Sequence, residues 1–340
     1  MDQSVLIMGG SGQAGAGTAA LLRRWYPALP LTVAGRDLER AGRVAADLGN
    51  ATPATLDLRR ADLGLPPEPG FTAVVAAVRD SHLNGLRFAQ DHGVPYLSIS
   101  NGLVDITPEV IAGAQRTTAA PILLASHFLA GLVVLAAMDA ARDFERVDTI
   151  RVAAVLDEHD AGGPAALEDL ERLMEVTSAG LIRRDGVFTW ATGTAAQVDV
   201  PSLDGSVLPG QTIATLDVPS LALATGAPNV RFDFAVGEST GRRRGDAPSL
   251  EIHLELRGTS SAGTPLSTRQ WLVHPEGQRP LTALGIALGV ERLLGLRGAP
   301  VPPGLYTPEA LIEPSYAAER MTELGTLRLQ GEEVSAPAAR

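Results

Sequence analysis

The chain has 340 residues, of which 45% are hydrophobic, and a formal net charge of −11 at pH 7. It is long enough to bury a core in each of two domains, and its acidic balance opposes extended contact with nucleic acid or an anionic membrane, because the phosphate attraction becomes repulsion. Cysteine is absent and all 28 basic residues are arginine, which excludes disulfides, thiolate nucleophiles, Cys-ligated metals, a Walker-A lysine, a pyridoxal Schiff base and a Tyr-x-x-x-Lys dehydrogenase.

The first third alternates strands with helices. Val5–Met8 reads as a short apolar strand, 15–25 as a helix, Leu31–Ala34 as a second strand and Leu38–Leu48 as a helix with Leu38, Ala41, Ala45 and Leu48 on one face. Further strands are expected over 51–58, 73–78, 96–100 and 121–125. This order predicts a doubly wound parallel sheet covered on both faces, ending near residue 128.

After it the spacing predicts a helix over 131–141, a strand over 148–156 and an amphipathic helix over 164–179, opened by Pro164 with Leu167, Leu170 and Met174 facing inward. From 187 to 274 strands alternate with turns. Val230, Phe232, Phe234 and Val236 alternate with Arg231, Asp233, Ala235 and Gly237, and Leu250, Ile252, Leu254 and Leu256 with Glu251, His253, Glu255 and Arg257, the pattern of a mainly antiparallel sheet with one buried face. The apolar helix over 282–296 is expected to pack back on the first domain, and the polar tail from about Gln330 to fray. The fold class is therefore α/β, a Rossmann-type sheet with a second α+β domain. The domains are expected at 1–128 (completed by the helix at 280–297), at 129–279 for substrate and dimerisation, and at 298–340 as a C-terminal segment.

The longest apolar run, Phe128 to Met138, falls far short of the roughly 18 residues a membrane span needs, and the N-terminus enters a strand directly with no basic signal region. A cytoplasmic protein with no membrane partner is expected.

The stretch "VLIMGGSGQAGAG" holds two overlapping patterns, Gly10-Ser11-Gly12-Gln13-Ala14-Gly15 and Gly9-x-x-Gly12-x-x-Gly15. In either, one glycine turns the chain after the strand, Gly12 lets backbone amides approach a pyrophosphate, and Gly15 lets the helix pack close to the sheet. A glycine loop between strand and helix at the head of a βαβ series is the context a dinucleotide site requires. The second strand ends Ala34-Gly35-Arg36-Asp37, with Arg36 where an NAD site places an acidic residue, so a guanidinium is available for a 2′-phosphate and NADP is expected. The competing reading is a solvated Arg36 with Asp37 capping the next helix. Asp57 is a candidate adenine contact, Val78 lies after the fourth strand, and Ser100 and Asn101 after the fifth are candidates for the nicotinamide ribose or amide.

The segments "VLIMGGSGQAG", "LTVAGRDLERA", Phe128-x-x-Gly131-Leu132 and "PPGLYTPEALIEP" together resemble the saccharopine dehydrogenase-like family of NAD(P)-dependent oxidoreductases. The resemblance spans most of the chain and is most specific in the N-terminal domain. It implies a Rossmann domain, a catalytic insertion with a mixed sheet, a C-terminal helix returning to the first domain, and a homodimer. At the junction, where family members commonly carry Pro-Gly-Leu, this chain reads Ala130-Gly131-Leu132, and the lysine of the saccharopine-forming and saccharopine-cleaving members is absent.

Hydride transfer needs a proton donor beside the developing anion. His127, after the sixth strand at the carboxyl edge, is the first candidate and His82, after the fourth, the second; a buried structural role is the alternative for either. Asp157-Glu158-His159-Asp160 could serve as an acid–base group or metal cluster, but adjacent residues on a strand face opposite ways, and no metal site is expected. Arg183-Arg184 and Arg242-Arg243-Arg244 are possible carboxylate forks, against solvated loop arginines. Tyr96, Arg183 and Trp190 are candidate substrate residues. The expected activity is NADP-dependent reduction of a C=N (imine) or C=O bond of a small or medium organic substrate; an enoyl (C=C) reductase and a non-catalytic NADP sensor are the alternatives.

Overall fold

The computed structural model describes residues 4–66, 70–99, 102–160, 172 and 178–330. In chain order the elements are β1 (Ser4–Met8), α1 (Gln13–Trp25), β2 (Leu31–Gly35), α2 (Leu38–Leu48), β3 (Ala51–Thr55), β4 (Phe71–Ala76), α3 (Asn84–His92), β5 (Tyr96–Ser98), α4 (Thr107–Gln115), β6 (Pro121–Leu124) and α5 (Leu132–Ala140). They continue with β7 (Phe144–Asp157), β8 (Gly180–Arg184), β9 (Val187–Ala191), β10 (Gln197–Pro201), β11 (Val207–Thr212), α6 (Asp217–Thr225), β12 (Asn229–Gly237), α7 (Thr240–Arg243), β13 (Leu250–Ser260) and β14 (Pro265–His274). The last are α8 (Arg279–Leu293), β15 (Gly304–Tyr306), α9 (Pro308–Leu311), α10 (Pro314–Glu323) and β16 (Leu327–Gln330). Two compact units result: Met1–Leu132 with Gly162–Leu173 and Arg279–Glu313, and Val133–Ala161 with Met174–Gln278 and Pro314–Arg340.

The first unit is built on a sheet of seven parallel strands in the order β15-β6-β5-β4-β1-β2-β3. Val5, Leu6, Ile7 and Met8 are all fully buried, as an uninterrupted apolar run in a doubly covered sheet must be. The strand order reverses between β1 and β4, so the loops leaving β1, β2, β4 and β5 open on one carboxyl edge on either side of a switch point. Helix α8 packs against α1 and the sheet through small residues: a Cβ on Gly17 would meet the Ala283 Cβ at 2.8 Å, and one on Gly289 would meet Leu97 at 2.5 Å and Leu123 at 2.8 Å. Thr18 Oγ1 donates to the Ala14 carbonyl (2.8 Å) and to the Ala283 carbonyl (3.3 Å), which ties the two helices together. The seventh strand, β15, extends the sheet beside β6. It escapes the sequence pattern because three residues after a Pro-Pro pair carry no period.

The second unit has a mixed nine-stranded sheet along the path β10-β11-β12-β7-β13-β14-β16, with β8 on β12 and β9 on β8. All its pairs are antiparallel except β12 with β7. Leu250, Ile252, Leu254 and Leu256 face the core as expected. The alternation expected of β12 is not kept: Asp233 (0% exposed) and Ala235 (2%) are buried alongside Phe232, whereas Val236 is 49% exposed. The reason is that the β10–β11 hairpin lays Val198, Val200 and Leu208 over Ala153, Val155 and Ala235. Asp233 is buried there because Arg151 (3.0 Å), Arg231 (2.8 Å) and the Thr212 hydroxyl (2.9 Å) satisfy its carboxylate. Asp185 and Gly186 both take positive φ (49° and 82°), the turn that suits the β8–β9 hairpin. The helix expected over 164–179 and the tail after Gln330 lie almost wholly outside the described residues. Among the described residues, no helix is long and apolar enough to cross a membrane.

Candidate cofactor site

Gly9, with φ +76°, turns the chain after β1, and its N–H and that of Gly10 both donate to the Ala34 carbonyl of β2 (2.9 and 3.0 Å). These two glycines shape the loop, and their amides are already used. Val78 is part of the reason Gly9 has no side chain, since a Cβ there would lie 3.0 Å from both Val78 Cβ and the Ala77 carbonyl oxygen. A Cβ on Gly15 would stand 2.4 Å from the Gly9 carbonyl oxygen, so only glycine lets α1 start this close to the turn. Gly12 is the N-cap residue of α1, with no side-chain cap and no acidic residue in the first turn. The amides of Gln13, Ala14 and Gly15 therefore face the carboxyl edge as a ready anion cradle.

The end of β2 completes this edge. Arg36 is exposed, and its guanidinium makes no hydrogen bond or ion pair among the described residues. Asp37 is the N-cap of α2, its carboxylate accepting from the Arg40 N–H at 3.0 Å, so this helix N-terminus is occupied by its own side chain. An anion beside β2 must then be held by side chains. Two are present: the Ser11 hydroxyl of the glycine motif, 3.2 Å from where a Cβ on Gly35 would lie, and the exposed guanidinium of Arg40, which the sequence pattern did not point to, neither of them engaged among the described residues. Arg40 stands four residues after Arg36, in the first turn of α2, and its charge was legible in the sequence. The approach of Ser11 to Gly35 is a product of the fold and was not. Asp57 does not present a free carboxylate for adenine: Arg59 binds it through Nε (2.9 Å) and Nη2 (3.0 Å), and these hydrogen bonds hold its pKa below the usual carboxylate value.

On the other side of the switch point, His127 is buried (6% exposed) and followed by a left-handed turn in which Leu129, Ala130 and Gly131 all have positive φ. Burial pushes the imidazole pKa down to about 3. The ring is therefore neutral at physiological pH, so any proton it gave up would come from a neutral imidazole N–H. His82 is exposed on the loop that leaves β4. Ser100 and Asn101 lie outside the described residues.

Tyr96 does not line a pocket. It is 1% exposed in the core of the first unit, its hydroxyl is hydrogen-bonded to Glu109, and burial raises its pKa well above 10. Arg183 is a clamp within the second unit, donating to the carbonyls of Gly186 (3.2 Å), Ala222 (2.8 Å) and Ala227 (3.1 Å), which fastens α6 to the β8–β9 hairpin. Trp190 is half exposed on β9 beside Val187 and Phe188. Arg242 is paired with Glu158 (2.7 Å) and Asp157 (3.2 Å), and Arg243 with Asp204 (2.7 Å), so neither is an open fork. Asp157 itself accepts from the Ser239 N–H (2.7 Å) and the His159 N–H (2.8 Å). Among the described residues no group of His and carboxylate side chains is placed to hold a metal.

No family model matches the sequence, and no curated protein does. Among solved structures, the apo form of saccharopine dehydrogenase (L-Glu forming) from Saccharomyces cerevisiae superposes with a TM-score of 0.69 at 12% identity, covering 97% of this chain and 100% of that one. This chain has the saccharopine dehydrogenase fold. At that identity the likeness concerns the fold alone. An oxidoreductase domain protein from Kribbella flavida (13% identity, TM-score 0.48, covering 97% of this chain and 99% of that one) and a myo-inositol dehydrogenase from Corynebacterium glutamicum (12%, 0.46, 98% and 100%) are similar to a lesser degree.

Proposed function

We propose that the chain is an NADP-dependent oxidoreductase that reduces a C=N or C=O bond of a small or medium organic substrate, its first unit holding the cofactor and its second contributing to substrate binding and to a homodimer. The observation that carries this reading is the pairing, on one carboxyl edge, of an uncapped α1 N-terminus with an exposed, unengaged Arg36 at the end of β2. The cradle fits the group: Gly15 brings the helix against the turn, three amides point outward, and Ser11, Arg36 and Arg40 offer a hydroxyl and two cations where an adenosine 2′-phosphate would lie. When bound, the dinucleotide supplies the hydride.

The protein's own part is to bind, orient and protonate. With adenosine over β2, the nicotinamide half falls at the ends of β4 and β5, on the other side of the switch point. There His82 is the exposed imidazole, and we assign it the proton that the reduced substrate takes up, with buried neutral His127 supporting the adjoining turn. A neutral His127 also favours one other reading, the non-catalytic NADP sensor, if His82 has no such role.

Titrating the purified protein with NADPH and NADH while following nicotinamide fluorescence, then adding cyclic imines, keto acid and amine pairs, ketones and enoyl thioesters, tests the proposal. It stands if NADPH binds more tightly than NADH and is oxidised by an imine or ketone, with His82→Gln lowering kcat. Oxidation by enoyl thioesters alone replaces it with C=C reduction. Tight binding without turnover leaves the sensor, and binding of neither cofactor ends the reading.

A further inference from the structure

Among the described residues the two sheets end in five edge strands, and four of them carry a feature that discourages a further strand. In the first unit β3 has Pro53 at its centre, and β15 is only three residues long. In the second, β10 has Asp199 and Pro201, and the four-residue β16 has Arg328. Short strands, prolines and charges are the usual means of keeping an edge from pairing. The fifth edge, β9, reads Val187-Phe188-Thr189-Trp190-Ala191, with no charge, no proline and no glycine.

β9 pairs with β8 along one side, from Gly180 opposite Ala191 to Arg184 opposite Val187. Its apolar side chains nevertheless face solvent: Val187 is 65% exposed, Trp190 50% and Phe188 40%. Phe188 and Trp190, two residues apart, share one face of the strand. There the Arg183 guanidinium, held by the carbonyls of Ala222 and Ala227, lies 5.5 Å from the centre of the Phe188 ring. On the other face Ala191 is buried with Ile182 and Ala196. The hairpin is thus anchored to its unit on both faces, and its outer edge is a formed template for another strand.

We propose that β9 pairs antiparallel with β9 of a second copy of this chain, about a two-fold axis at Thr189, so that the two mixed sheets become continuous. The occupant follows from the strand itself, which is self-complementary about that residue. Centred on Thr189, the pairing sets Phe188 opposite Trp190 of the partner subunit, and by symmetry Trp190 opposite Phe188 of the partner subunit. An axis at Phe188 or at Trp190 would leave one aromatic pair instead of two. On the other face Val187 meets Ala191 of the partner subunit, and no charge meets a like charge. In a chain of net charge −11 two copies repel each other, and a neutral strand is where they can touch. The proposal deepens the homodimer of the proposed function by naming its surface, and it rests on no cofactor assignment.

The chain has no cysteine, so introduced thiols report the contact directly. Thr189→Cys places two thiols on the axis, where opposed antiparallel residues stand roughly 4.5–5.5 Å apart at Cα, within reach of a disulfide. Mild oxidation of the full chain should turn Thr189→Cys into a disulfide-linked dimer on a non-reducing gel. Val187→Cys and Ala191→Cys should each stay unlinked alone and should link when mixed and left to exchange before oxidation. By sedimentation the unsubstituted protein should have twice the chain mass, and Trp190→Lys should raise the dimer dissociation constant at least tenfold. NADPH affinity within twofold in Trp190→Lys would show that the first unit is undisturbed. A monomer overturns the proposal and the homodimer together. A dimer that Trp190→Lys leaves intact and that Thr189→Cys does not link overturns the proposal alone, by placing the contact on another face, such as that of Trp271 and Leu329. Self-linking of Val187→Cys overturns the pairing about Thr189. Failure of the unsubstituted protein to bind NADPH counts against the oxidoreductase reading, and the masses and cross-links still decide the contact.

Discussion

The Ser11 hydroxyl oxygen lies 3.2 Å from the position a Cβ on Gly35 would take. The turn after β1 and the end of β2 therefore meet with no side chain between them, and the hydroxyl and the free Arg36 open on the same edge. Arg36→Ala should weaken NADPH by about 1.5–3 kcal/mol, the scale of a hydrogen bond to a charged group, and leave NADH almost unchanged. Ser11→Ala and Arg40→Ala should act in the same sense and more weakly. Fluorescence titration with both cofactors checks this; equal losses for NADPH and NADH on Arg36→Ala would remove the 2′-phosphate assignment.

Gly15 gives the opposite signature. An added Cβ would stand 2.4 Å from the Gly9 carbonyl oxygen and 2.8 Å from Gly10 Cα, both backbone atoms that cannot rotate away. Gly15→Ala must displace α1 from the turn, at a stability loss of about 1–3 kcal/mol for an overpacked contact. On the proposed reading both cofactors should lose affinity together, since they share the pyrophosphate that the amide cradle would hold. Urea unfolding and the two titrations on one preparation separate this outcome from that of Arg36→Ala.

The glycine loop and the first six parallel strands were legible because each rests on local spacing: a strand, a turn and a helix. What was not legible depends on contacts between distant segments. His127 sits at a strand end, as a catalytic histidine would, yet the residues around it bury it and keep it neutral. Arg183 looked like a carboxylate fork until α6 supplied carbonyls for it.

Glu251 shows how the second unit orders its arginine-rich loop, and makes a third prediction. Its fully buried carboxylate accepts from the Ser202 hydroxyl (2.6 Å) and the Leu203 N–H (2.7 Å) through one oxygen, and from the Thr240 N–H and the Ser249 hydroxyl through the other. Glu251→Gln keeps the shape but replaces one acceptor oxygen with an NH2 group that faces a backbone donor. The expected loss is about 2–3 kcal/mol, since charge-assisted bonds are removed and a buried donor is left unmet. Urea unfolding at pH 7 measures it. On the proposed reading the cofactor sits on the first unit, so NADPH affinity should not change.

His127 makes stability depend on pH with a definite sign. The unfolded chain takes up a proton on this ring near pH 6.5, whereas burial in the folded chain delays protonation to about pH 3. Between those values the unfolded state binds the extra proton, so the residue's contribution is intact above about pH 6.5 and is lost progressively as the pH falls toward 3, at about 1.4 kcal/mol per pH unit. From pH 7 to pH 5 that amounts to about 2 kcal/mol from this residue alone. His127→Gln removes the titrating ring, so its stability should decline less steeply over the same interval, the difference between the two proteins isolating His127 from every other group. Urea unfolding at pH 7, 6 and 5 supplies the comparison. Parallel curves would mean that the ring protonates as easily folded as unfolded, and would restore His127 as a possible imidazolium donor beside the nicotinamide.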